Sequence, residues 1–390
     1  MERFLKYGVY SLFFLLKALS ERSGTENHEI ILLSDYASNV TAQQEKVIPH
    51  NAALFGLGKV AEQEYLNMKV RCIDIDNKTT CNEIINEINS EKQGYITAYR
   101  NGIRYTEVLE ELVVEDIRDK EIKINDEGIY IITGGMGGIG LNIAEYLASK
   151  NAGNIALINR TEFPERNEWD SILDKIDAQQ NIIDGINRIR NIEKYYGTNI
   201  LTLSADTANE VEIEQLFKTL KKKYNRINGI VHAAGVSQSN LISDKDFREF
   251  ESAIRPKIFG TWVLDKVTAE ENMDFFIMFS SVSAIIGAFG HGDYVAANSY
   301  IDIFEAYRNR QGRTSMVINW PAWKDTGMMK NVLFDEEKQV FQQLSKEDAI
   351  DIFEQLLKKD LTKVIAGRLN YKSKIIDLAD ILPVEFSSAI

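Results

Sequence analysis

Cysteine is almost missing from this chain, with two residues, Cys72 and Cys81, among 390. That count excludes a disulfide framework, and no pair of Cys or His residues has the spacing of a zinc site. A reducing, cytoplasmic setting without a metal is the simplest reading. Positive charge is also scarce: 45 Lys and Arg against 58 Asp and Glu leave a formal net charge of -13. Nucleic-acid binding draws its affinity from clustered cations, so no nucleic-acid partner is expected. The short run Lys221 to Lys223 reads as a solvated helix face. No apolar run is long enough to cross a bilayer. The opening "MERFLKYGVYSLFFLLKALSE" is interrupted by Lys17 and is followed by no small-residue cleavage site; it reads as an amphipathic first helix, and no membrane partner is expected. Repeats at solenoid spacing and low-complexity segments are lacking too. What remains is a globular chain long enough for two lobes.

What is present is an alternation of strands and helices. The runs "EIILLSD" (Glu29 to Asp35), "VRCIDID" (Val70 to Asp76) and "GYITAYRNGIRY" (Gly94 to Tyr105), separated by helical patterns such as Asn51 to Tyr65, predict an α/β lobe over residues 1–125. From Gly128 the alternation restarts more strongly with "IYIIT", "NIALIN", "NILTLSA", "GIVHAAG", "DFFIMFSS", "SMVINW" and "KVIAG". Strands apolar on both faces imply a parallel sheet covered by helices, so residues 126–390 read as a doubly wound α/β lobe. The charged stretch Glu107 to Glu127 reads as the crossing segment. Thr161 to Thr198, long and polar with a helical middle, reads as an insertion between two strands.

In "IYIITGGMGGIGLNIAEYLASK" a strand, a glycine-rich turn and a helix follow one another, the context that makes a glycine pattern informative. Gly134, Gly135, Gly137, Gly138 and Gly140 let the backbone approach a pyrophosphate, whose charge then sits at a helix N-terminus. "GLG" at Gly56 to Gly58 has no strand leading into it and reads as packing. The next strand ends in Asn159 and Arg160 where an acidic residue would bind the ribose of NAD; an arginine accommodates a 2′-phosphate, so NADP(H) is expected. An ordinary surface arginine is the alternative. Asp206, after the third strand, is placed to reach the adenine end, or else forms a turn.

The strand "DFFIMFSS" delivers Ser280 and Ser281 at its carboxyl end, where open α/β sheets bind ligands. Tyr294 follows, with Asn298 four residues on and on the same helix face. Beside a nicotinamide, a serine hydroxyl stabilises a carbonyl oxygen and a tyrosine delivers its proton. The phenol's ordinary pKa near ~10 makes it a poor acid unless a cation favours the phenolate, and position 298 holds no lysine.

These motifs resemble the ketoreductase domains of modular polyketide synthases, a branch of the short-chain dehydrogenase/reductase superfamily. The resemblance runs through "TGGMGGIG", "HAAG" (His232 to Gly235), "PKIFGTWVLD" (Pro256 to Asp265), "FSSVSAIIG", "YVAANSYID" and "INWPAW". It implies a Rossmann-type catalytic subdomain preceded by a truncated Rossmann-like structural subdomain, to which "ALFGLGKVAEQEY" and "AYRNGIRY" are similar. It further implies that Lys257 takes the place of the missing lysine beside Tyr294, Ser281 and Asn298. The implied cofactor is NADPH, with Ile139, Thr207, Ala233, Ala234 and Gly235 completing its site. The implied substrate is a β-ketoacyl chain on an acyl carrier protein, reduced among the other domains of a synthase in polyketide, including antibiotic, biosynthesis. An α-keto thioester fits the same chemistry; a silent or epimerising scaffold domain is the reading from a different class. Ser237, Gln238 and Ser239 depart from the family's Leu-Asp-Asp segment, and Ile286 stands at its tryptophan position, so product handedness stays open. The segment "AWKDTGMMKNVLF" (Ala322 to Phe334) is expected to bound the substrate channel, with Met328 and Met329 toward the acyl chain or in the core.

Overall fold

The two groups of apolar runs form two sheets. The computed structural model describes residues 1–21, 26–91, 94–175, 179–327, 337, 339–374, 383 and 385–386. In the first lobe, β1 (His28–Asp35), β2 (Met68–Ile75) and β3 (Ile96–Arg100) are parallel, and β4 (Ile103–Thr106) returns antiparallel to β3. Asn101 and Gly102 make that return with φ of 53° and 75°, the two-residue turn whose twist suits a hairpin. Helices α1 (Glu2–Tyr7), α2 (Val9–Ser20), α3 (Pro49–Glu64) and α4 (Cys81–Ile88) complete the lobe. The single first helix expected from sequence is therefore two. At Gly8 the backbone leaves helical values (ψ -109°), which lets Leu5, Val9, Phe13 and Leu16 all face inward.

After the short β5 (Val108–Leu109) comes a seven-stranded parallel sheet made of β6 (Ile129–Thr133), β7 (Asn154–Asn159), β8 (Asn199–Ser204), β9 (Ile227–His232), β10 (Phe275–Ser281), β11 (Met316–Trp320) and β12 (Lys363–Ile365). Its order is β12-β11-β10-β9-β6-β7-β8. The order reverses between β6 and β9, which opens a crevice at their carboxyl ends. The seven predicted strands are all formed. Helices α5 (Gly138–Ser149), α6 (Trp169–Leu173), α7 (Gln180–Tyr196), α8 (Glu210–Tyr224), α9 (Phe247–Val267), α10 (Ser283–Ile286), α11 (Gly292–Arg310) and α12 (Lys346–Leu357) follow in chain order. A last strand, β13 (Glu385–Phe386), pairs with β5. The inserted segment is helical in α6 and α7, and Lys221 to Lys223 lie exposed on the last turn of α8.

One hydrophobic cluster runs through both lobes, joining Phe55, Leu57 and Val60 of α3 to Val295, Ala296 and Tyr300 of α11. A second covers the other face of the large sheet, with Ile143 and Leu147 of α5, Ile186 and Ile189 of α7 and Phe353 of α12. Each such side chain, fully buried, contributes about 1.5–3 kcal/mol. The crossing segment is tied to the second lobe by its backbone: Lys120 N–H donates to Lys358 O and Asp360 N–H to Arg118 O. No described helix is long and apolar enough to cross a membrane.

Candidate active site

At the sheet's reversal two turns meet. Gly134 has φ +66°, and a Cβ there would lie 2.9 Å from Ala233 O, so both conformation and space call for glycine. Ala233 and Ala234 are held by β6: Ala233 N–H donates to Thr133 O and Ala234 N–H to the Thr133 hydroxyl. That hydroxyl lies 2.6 Å from His232 Nδ1, and His232 Nε2 lies 3.1 Å from Pro256 O. A carbonyl only accepts, so Nε2 carries the hydrogen and Nδ1 accepts from Thr133. Burial, with Lys257 nearby, pushes the ring down to about 3 and keeps it neutral.

The glycine-rich turn enters α5 with Gly137 at its N-cap, Gly138 to Gly140 in its first turn, and no capping side chain. Its first amides therefore point outward unsatisfied by any local cap, as an anion site requires. Gly135 lies against Leu157 and Gly140 against Gly134, where side chains would collide. Asn159 Oδ1 accepts from Met136 N–H at 3.2 Å, fixing the turn, while Arg160 next to it is exposed with no side-chain partner among the described residues. Asp206 uses one carboxylate oxygen to accept from Ala208 N–H at 2.9 Å, the turn role; its neighbour Thr207 is buried against Gly260 of α9. These glycines and the free guanidinium fit a dinucleotide carrying an extra phosphate.

Ser281, Tyr294, Asn298 and Lys257 arrive from three elements, β10, α11 and α9. Lys257 is buried; its ammonium donates to Phe279 O at 2.7 Å and stands 5.8 Å from the centre of the Tyr294 ring. Gly235 makes room for it, since a Cβ there would meet Lys257 Cε at 2.8 Å. Asn298 donates to Tyr294 O at 2.8 Å, and its buried Oδ1 has no partner among the described residues. Ser281 Oγ accepts from Ser283 N–H at 3.2 Å, which leaves its own hydrogen free to be donated. Burial raises the Tyr294 phenol, with the side chains of Asn298 and Ser281 pulling the other way. The same desolvation lowers Lys257 to about 7, opposed by Asp302. The cation is thus beside the tyrosine, but burial, not charge, dominates the phenol's acidity here.

Three features were beyond the sequence reading. Asp302 holds the Asn319 amide with both oxygens, at 2.9 and 2.8 Å, and stands 3.4 Å from Lys363. Lys245 and Asp293 form a buried pair at 2.7 Å just before Tyr294. Side chains of α3 reach this region from the first lobe. Asp293 is visible in sequence as an acidic first-turn residue, but no local signal points to a partner 48 positions earlier. "GLG" is packing: Gly56 abuts Ser299 and Ala296 of α11. In the expected channel segment, Thr326 and Gly327 lie against Gly138, at the nucleotide turn, whereas Met328 to Phe334 fall outside the described residues. A cavity of about 460 Å³ between the lobes, lined in part by Ser38, Phe55, Lys59, Ser299, Asp302 and Lys363, contains none of the predicted site residues.

Comparison with known proteins places this geometry. Residues 128–325, just over half of the chain, match the family described as KR domain, and residues 1–91 match one described as beta-ketoacyl synthase-like, N-terminal. Polyketide synthase PksM of Bacillus subtilis (strain 168) is 32% identical over 293 residues, covering 72% of this chain and 6% of that protein. The first relatives found are far longer: this chain spans 5 to 14% of their lengths. A crystal structure of a ketoreductase domain from the bacillaene assembly line superposes with a TM-score of 0.80 at 25% identity, covering 97% of this chain and 86% of the other. An adenylation, ketoreductase and pseudo Asub multidomain structure from a keto acid-selecting NRPS module superposes at 0.82, also 25% identical, over 97% of this chain and 31% of the other. The chain belongs to the KR domain family of polyketide synthase ketoreductases, oxidoreductases built on a parallel-sheet α/β fold and using a nicotinamide cofactor.

Proposed function

We propose that this chain reduces the ketone of a β-ketoacyl chain carried by an acyl carrier protein, with NADPH as cofactor, inside a cytoplasmic polyketide synthase. The observation that carries the reading is the convergence of Ser281, Tyr294, Asn298 and Lys257 at the carboxyl edge of the sheet, beside the glycine-rich turn. NADPH, when bound, supplies a hydride to the carbonyl carbon. The Ser281 hydroxyl donates to the ketone oxygen, Tyr294 gives that oxygen its proton, and the Lys257 ammonium steadies the phenolate left behind. The unpartnered Asn298 Oδ1 accepts from that ammonium or from a water between them. Gly134, Gly135, Gly137, Gly138, Ile139 and Gly140 receive the pyrophosphate, and Arg160 the 2′-phosphate. Asn159, Asp206, Thr207, Ala233, Ala234 and Gly235 line the remainder. Residues 1–125 act as a noncatalytic subdomain and 126–390 as the catalytic one.

An α-keto thioester is the second reading, favoured by the structural likeness to the keto acid-selecting module. The test follows NADPH oxidation with a carrier-bound β-ketone, the matching α-keto thioester and a free ketone. Carrier-bound β-ketone is expected to turn over best, and Tyr294→Phe to be nearly inactive. Arg160→Ala is expected to raise the KM for NADPH by roughly tenfold, the scale of one charge-assisted pair, and to leave NADH use alone. Equal use of NADH and NADPH by the natural chain overturns the cofactor assignment; no oxidation with any ketone leaves the scaffold reading standing.

A further inference from the structure

Helix α3 belongs to the first lobe, yet three of its side chains hold backbone atoms in two segments that precede Tyr294. Lys59, only 5% exposed, donates to Ala284 O at 2.8 Å and Ile285 O at 2.9 Å. One turn later Gln63 donates to Ile286 O at 2.8 Å. Glu64 accepts from Gly290 N–H at 2.9 Å with one oxygen and from Ile242 N–H at 2.7 Å with the other. Positions 59 and 63 share a helix face by their spacing, and Glu64 is the last residue of the helix, beside it. The atoms they hold are not scattered. Residues 284–290 lie in the link from Ser281 to Tyr294, and Ile242 lies in the segment that follows the Ala233–Gly235 turn.

Those two segments also touch each other, through Asn240 N–H to Gly290 O at 2.9 Å and through Ser237 Oγ to His291 Nδ1 at 2.9 Å. Glu64 therefore spans a seam between two loops rather than capping one. A short helix such as α10 leaves its last carbonyls without helical partners; Lys59 and Gln63 supply them from the other lobe. Burying an ammonium to hold neutral carbonyls carries a desolvation cost, and burial lowers the Lys59 pKa. A lobe that only needed adhesion has apolar surface enough in Phe55, Leu57 and Val60.

We propose that Lys59, Gln63 and Glu64 are positioning residues for the reduction: through the two loops they set where Ser281 stands relative to Tyr294 and which face of the ketone is presented. The inference rests on the reading of Ser281 and Tyr294 as the reducing pair. It gives the first lobe a part in rate and product handedness, beyond its packing.

The test uses the full chain and compares Lys59→Met, Lys59→Arg and Glu64→Gln with Glu87→Gln. Glu87 holds Thr97, Tyr99 and Arg104 within the first lobe and serves as a control for lost stability alone. Amide hydrogen exchange of residues 238–243 and 284–291 is followed alongside melting temperature, NADPH affinity, kcat, KM and product diastereomer ratio. Lys59→Met and Glu64→Gln are expected to speed exchange in both segments, and to lower kcat by about tenfold or more well below the melting temperature, as misplacement of reacting groups does. NADPH affinity is expected to hold, the diastereomer ratio to shift, and Lys59→Arg to restore part of the rate. Glu87→Gln should lose stability without any of these effects. Variants that melt earlier like the control but keep kcat and diastereomer ratio overturn the proposal. If the natural chain reduces no ketone, the reading of the reaction fails on its own, and unchanged exchange in both segments then overturns the positioning role.

Discussion

Lys257 meets two demands that pull against each other. Burial brings its ammonium close to Tyr294, and the same burial lowers its pKa to about 7. Only the cationic form steadies a phenolate. At limiting NADPH, which reports the free protein, the rate of reduction is therefore expected to fall as pH rises through about 7, by about tenfold per pH unit beyond it. Lys257→Ala should lose orders of magnitude in turnover and, with them, this descending limb. Rates measured across pH at low and saturating NADPH check both statements; a flat profile for the natural chain removes Lys257 from the mechanism. Ser281, Tyr294 and Asn298 were legible in sequence because a strand end and a helix face place them. Lys257 was not. It sits 37 residues before Tyr294 on another helix, so only family likeness pointed to it. Lys245 and Asp302 stayed hidden for the same reason, their meaning lying in partners that local pattern does not reveal.

Helices α3 and α11 pack so closely that Gly56 has no room for a side chain. A Cβ there would collide with Ser299 Oγ and stand 3.0 Å from the Ala296 backbone. The serine can rotate, but the backbone cannot step aside. Gly56→Ala is expected to cost about 1–3 kcal/mol, the usual penalty of overpacking, and to lower the melting temperature by a few degrees. A calorimetric scan in which the variant melts with the natural chain removes the close approach. At this scale the sequence was readable where periodicity is strong. All seven strands of the large sheet stand out as apolar runs, and "GLG" reads as packing once no strand precedes it. The break at Gly8 was not readable: α1 and α2 continue one apolar pattern, and they are split where the Gly8 backbone leaves helical values.

Beside the small β5–β13 pair, the described residues form two larger sheets, and the glycine-rich turn follows a strand of the seven-stranded one. In the first lobe no described strand feeds a glycine-rich turn, and the carboxyl end of β2 carries a buried ion pair. Asp74 pairs with Arg100 at 2.6 Å, both fully buried, and accepts from Ala37 and Ser38 N–H. Calorimetric titration of NADPH into the full chain is accordingly expected to give one site per chain; a second site of similar affinity would overturn the reading of the first lobe as noncatalytic. The four-stranded and seven-stranded sheets are separate, yet contacts lace the expected boundary near residue 125, since Asn125 is held by Asn228 and β5 pairs with β13. Composition cannot reveal such lacing. The depressed lysine also has a consequence for the molecule as a whole. The phosphates of a bound dinucleotide bring negative charge into the cleft and favour the ammonium over the amine. In the proposed reaction, then, cofactor loading near and above neutrality is expected to draw a proton from the buffer and affinity for NADPH to weaken as the medium turns alkaline: the charge that would ready the acid is taken up in the same event that brings the hydride.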